Sequence, residues 1–70
     1  MILFLIKDDI VEDLRNARTI FRKKLGKFPT HIGIRKEIIS DGLTGVILVT
    51  MSPPKAPPPH HFFLWREDDE

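Results

Sequence analysis

Three kinds of residue in this chain are capable of chemistry: histidines, hydroxyl and acidic side chains, and a block of arginine and lysine. His60 and His61 are adjacent, so on a strand they point to opposite faces and cannot share a metal ion. In a loop they could, with His31 as a third ligand, but the chain has no cysteine and no zinc-type spacing. Exposed loop and strand histidines are the better reading, and no metal or cofactor is predicted. Ser40 and Ser52 are the only serines, with no nucleophile elbow and no base and orienter in reach of sequence reasoning. The four glycines, 26, 33, 42 and 45, fit cap, strand and turn positions rather than a phosphate loop. An enzyme is therefore not predicted, and neither is a small-molecule substrate.

The basic residues are more informative. Net charge is +1, yet every charged residue from Arg15 to Lys36 is basic, while acids gather at Asp8–Asp13 and Glu67–Glu70. Acids in the first turn of a helix and bases in its last complement the helix dipole, which accounts for part of this segregation. At 100° per residue Arg15, Arg18 and Arg22 share a stripe beside Val11. Such arginines either grip phosphate or lay their stems over the core. With Lys23, Lys27 and Arg35 they form the candidate anion or nucleic-acid contact.

Positioning these residues requires a helix. Ile10, Leu14, Ala17, Phe21 and Leu25 recur at helical spacing. Asp9 is placed to cap the first turn, with Glu12 as the second half of a capping box. Gly26 stands where a left-handed C′ residue is wanted. The run Ile2–Ile6 fits either a strand or a backward extension of the stripe. The Asp8-Asp9 start signal favours the strand. Pro29 stops the helix from continuing, and His31–Ile34 alternates like a short strand. Arg35–Asp41 fits a helical turn, with Ile38 and Ile39 inward. Val46–Met51 and His61–Arg66 are β-branched and aromatic runs of high strand propensity.

The junction Gly26-Lys27-Phe28-Pro29-Thr30-His31-Ile32-Gly33-Ile34, with Asn16-Ala17-Arg18 before it, resembles a group of small uncharacterised phage-associated and bacterial proteins. These have an arginine-rich helix leading into a G-x-x-P-T turn and a strand. The resemblance spans residues 10–50 and implies an α+β domain of unsettled function, with no catalytic residue to carry over. The loop from Ser52 to Pro59 and the strand Phe62–Trp65 lie outside it.

Five of the six prolines fall between Pro53 and Pro59. Pro54-Lys55-Ala56-Pro57 satisfies P-x-x-P, but its cation lies inside the motif and both ends run into strands. A stiff connection joining 45–51 and 61–66 as a hairpin is the preferred reading. The fold expected is α+β: residues 1–66 form one domain, a long amphipathic helix on a small, mainly antiparallel sheet, followed by an acidic tail at 67–70.

Both late strands are apolar on both faces, and hydrophobic residues make up 41% of the chain. One helix covers one face of a small sheet, so the other needs a second cover, most simply another subunit. Ile47, Val49, Phe62, Leu64 and Trp65 are the candidate interface. No apolar run is long enough to span a bilayer, and a cytoplasmic protein is expected. The function expected is a non-enzymatic interaction or assembly module, homo-oligomeric or bound to another protein. The alternative is a nucleic-acid-binding protein that uses the arginine stripe.

Overall fold

A computed structural model describes residues 1–69. It shows an α+β fold in two layers: one helix against one face of a four-stranded mixed sheet. The strands are β1 (Ile2–Leu5), β2 (His31–Arg35), β3 (Ile47–Met51) and β4 (His61–Trp65), and the helix α1 is Ile10–Leu25. Spatial order is β1-β4-β2-β3. β4 runs antiparallel to both neighbours, and β2 and β3 are parallel. The segment 2–6 is thus a strand and not a helical extension.

Local chemistry sets the bounds of α1. Asp9 is extended, and its side chain accepts the N–H of Val11 at 3.1 Å. The reciprocal half of the capping box is not made, because Glu12 turns outward toward Arg15, 3.9 Å away. Asp13 instead reaches back to accept the N–H groups of Lys7 and Asp8 at 2.8 and 3.2 Å. Gly26 ends the helix at φ 80° and donates to the Arg22 carbonyl. Ile10, Leu14, Ala17 and Phe21 are buried as their spacing predicts. Leu25, one turn further on, is 49% exposed, because the stripe outruns the sheet.

Facing α1 across the core are Ile32 and Ile34 of β2 with Phe62 and Leu64 of β4, all fully buried. Ile2 and Phe4 of β1 extend this layer, and the Phe4 ring stacks on Phe62 at 5.7 Å. Parallel β2 and β3 require a crossover, which residues 36–46 supply. It begins with a 3-10 turn at Lys36–Ile38 and packs Ile38, Leu43 and Val46 against the same core. Ile39 lies outward, 38% exposed, because the turn stops one residue before it.

The expected hairpin does not form. β2 lies between β3 and β4, so residues 52–60 pass over the C-terminal end of β2 to join strands about 10 Å apart, twice the ordinary spacing. Pro57 is buried beneath this bridge, and its carbonyl accepts a hydrogen bond from Arg35 Nε at 2.8 Å. The start of the acidic tail is also tied back. Glu67 N–H donates to Thr30 Oγ1, and Arg66 Nε donates to Asp68 at 2.9 Å. That bond holds the Asp68 carboxyl below the ordinary aspartate range. Glu70, the last residue of the tail, lies outside the described residues.

Candidate interaction surfaces

Among the described residues, no element covers the sheet face away from α1. Strand alternation and the pairing registers place its residues in rows. One row crosses all four strands as Leu3, Phe63, Gly33 and Val49. Beside it run Trp65, His31 and Ile47, and on the other side Leu5 and His61, with Arg35 and Met51. Leu3, Leu5 and Ile47 are 44%, 52% and 59% exposed, and no acidic side chain belongs to these rows.

The centre of the face is shaped by a missing side chain. A Cβ on Gly33 would stand 2.5 Å from Met51 Sδ and 2.8 Å from Trp65 Cζ3. Both side chains therefore lie across the glycine. Trp65 also stacks on His31, with ring centroids 5.4 Å apart and planes within 11°. Thr30 fixes this pair from below: its Oγ1 lies 2.7 Å from His31 Nδ1 and donates to the Trp65 carbonyl. The result is a mostly apolar surface whose central Trp65 ring is held against Gly33 and His31.

Of the five expected interface residues, Ile47, Val49 and Trp65 lie on this face. Phe62 and Leu64 do not; they are wholly buried under α1. A period of two puts them opposite Trp65, so the β4 residues on the uncovered side are His61, Phe63 and Trp65. Sequence reasoning missed Leu3, Leu5 and Phe63. The signal available was alternation alone, and a strand apolar on both faces gives it no phase.

The basic residues divide between two places. Arg18 and Arg22 each hold a guanidinium carbon 5.1 Å from the ring centroid of Phe28, a residue 43% exposed. Arg18 is also pressed against the backbone of Gly45, where a Cβ would lie 2.7 Å from its Cζ, and its Nε is buried without a hydrogen-bond partner. With Arg15, Val11, Leu14, Gly42 and Thr44 it lines a cleft of about 110 Å³. Arg15, Lys23 and Lys27 are exposed. Arg35 does not join them: it lies on the uncovered face at the far end of β2, bonded to Pro57. The basic patch therefore centres on the C-terminal half of α1 and on Phe28, a residue the charge pattern did not single out.

The three histidines occupy unrelated surroundings. His31 stacks on Trp65, His60 sits exposed in a left-handed turn, and His61 Nδ1 lies 2.8 Å from the Pro59 carbonyl. Among the described residues no three His, Cys, Asp or Glu side chains are grouped as a metal site. No described helix is long and apolar enough to cross a membrane. The chain matches no family model, no curated protein and no solved structure.

Proposed function

We propose that this chain is a non-enzymatic assembly module that associates with copies of itself through the sheet face that α1 leaves uncovered. The observation that carries the reading is the row Leu3–Phe63–Gly33–Val49 and its neighbours. It is a mostly apolar surface, free of acids, that one-sided helix packing leaves in water. Contiguous exposed apolar surface of this kind marks contact sites, and two such sheets pack face to face at about 10 Å. A second copy needs no charge complementarity, because the single arginine on the face, Arg35, is engaged by Pro57.

Sedimentation equilibrium tests it. The chain should associate at micromolar concentration, and Ile47→Lys should weaken association about tenfold or more, since an unpaired ammonium would be buried at the contact. Ile47 is 59% exposed, so the fold tolerates the change. A well-folded monomer at high micromolar concentration sinks the proposal.

One observation favours a second reading, nucleic-acid binding. Arg18 and Arg22 flank an exposed aromatic ring, and neither forms an ion pair with an acid among the described residues. That is the combination of cation and stacking platform that holds a single strand. A salt-sensitive gel shift lost in an Arg18→Glu/Arg22→Glu double variant would support it. The absence of any shift at low salt would remove it.

A further inference from the structure

β1 is an edge strand, and among the described residues it pairs with β4 alone. In an antiparallel ladder, hydrogen-bonded and non-hydrogen-bonded pairs alternate. Ile6 N–H donates to the His60 carbonyl at 2.6 Å, in register with the Phe4–Phe62 and Ile2–Leu64 pairs. The even residues of β1 therefore aim their backbone groups at β4. The odd residues aim theirs outward. Lys7, the next odd position, has its N–H taken by Asp13 Oδ2 at 2.8 Å, which closes that end of the edge. The open backbone groups are thus those of Leu3 and Leu5, on either side of Phe4.

The sequence of the strand has the same centre. Ile2-Leu3-Phe4-Leu5-Ile6 reads identically in both directions about Phe4. When an antiparallel copy is placed with Phe4 opposite Phe4, Leu3 faces Leu5 and Ile2 faces Ile6. Each residue then meets its own kind or its mirror position. The two Leu3–Leu5 pairs are the hydrogen-bonded ones, so all the outward N–H and C=O groups of Leu3 and Leu5 are satisfied in four bonds. Phe4 opposite Phe4 is a non-hydrogen-bonded pair, in which side chains approach most closely.

We infer that β1 pairs with β1 of a second copy in this register, which joins two four-stranded sheets into one of eight strands. The two-fold axis passes between the Phe4 residues at right angles to the sheet, so both helices lie on the same side. Beside each β1 runs a half-open groove of about 190 Å³, lined by Phe4, Leu5, Ala17 and Ile20 with Lys7, Asp13 and Asn16. The pairing brings the two grooves together over the Phe4 pair. No charge, proline or bulge guards this edge, and those are the usual devices against strand addition. The other edge, β3, leaves Leu48 and Thr50 outward but leads into Pro53-Pro54.

The inference rests on self-association but adds a contact separate from the uncovered face. A chain with two distinct two-fold contacts builds assemblies larger than a dimer. Amide hydrogen exchange combined with sedimentation separates the two. In the Ile47→Lys variant, with the face disabled, a dimer should persist, and the Leu3 and Leu5 amides should exchange about 100-fold or more below their intrinsic rates, losing that protection on dilution. Leu5→Pro should abolish this dimer while the monomer stays folded, because the N–H it removes has no partner among the described residues. Leu5→Lys, which keeps the N–H, should weaken it too.

Fast Leu3 and Leu5 exchange in an associated chain overturns the edge contact and leaves the face. So does protection at Leu48 and Thr50 instead. If Ile47→Lys changes nothing while Leu5→Pro yields monomer, the edge stands and the face falls. A wild-type chain that stays monomeric overturns both.

Discussion

Gly33 lies midway along β2, where Trp65 and Met51 close over it from the two neighbouring strands. Adding a methyl group there relieves the backbone entropy cost of glycine, a gain of about 0.4–1 kcal/mol. It also pushes against a tryptophan ring already stacked on His31. Overpacking outweighs the gain: Gly33→Ala should destabilise the fold by about 1–3 kcal/mol. Trp65 is the single tryptophan, so its emission should shift to the red as the ring lifts into water. Unchanged emission and stability would show that the ring is not held there. From the sequence, Gly33 was legible as a strand glycine and nothing more. What lies over it comes from β3 and β4, at residues eighteen and more positions away. Arg18 teaches the same lesson in reverse. Its place on a basic stripe was legible, but its packing between Phe28 and Gly45 depends on two loops that no periodicity describes.

The helix is the element most fully written in local sequence. Its N-cap aspartate, its buried stripe and its terminal glycine each act through neighbours within a few residues, so they hold whatever surrounds them. The connection of β3 to β4 is the opposite case. Two apolar runs separated by prolines suggest a hairpin, because sequential strands usually pair. Here the crossover 36–46 delivers β3 parallel to β2 on its outer side, so the partner sites of β2 are shared between β3 and β4. The proline segment must then span two strand spacings and pass over the end of β2, which explains the burial of Pro57 and its bond to Arg35. Replacing residues 52–60 with a two-residue Asn-Gly turn, which suits adjacent antiparallel strands, should abolish cooperative thermal unfolding followed by circular dichroism. A shortened chain that melts as sharply as the parent would mean that β3 and β4 do not need a connection spanning two strand spacings.

At the scale of the whole molecule, two layers enclose one core and leave the second face of the sheet in water. A domain this small has little stability to spare, so association that buries the uncovered face or pairs the β1 edge also stabilises the fold. Its melting temperature should therefore rise with protein concentration, and the rise should shrink in Ile47→Lys. That apolar side chains would stand on both faces of the sheet was legible in the sequence, since β3 and β4 are apolar on both sides. Which residues face outward was not.

The sequence by itself determined the helix and its caps, the strand-forming segments, the excess of apolar surface and the separation of charge. These depend on backbone propensity, on spacing and on contacts a turn away. The tertiary structure alone decided the strand order, the phase of β4 that buries Phe62 and Leu64 and turns Phe63 and Trp65 to the uncovered face, and the separation of Arg35 from the other arginines. The physical reason is that a strand apolar on both faces carries no alternation to say which side is inner. Only the helix that packs on one side makes that choice.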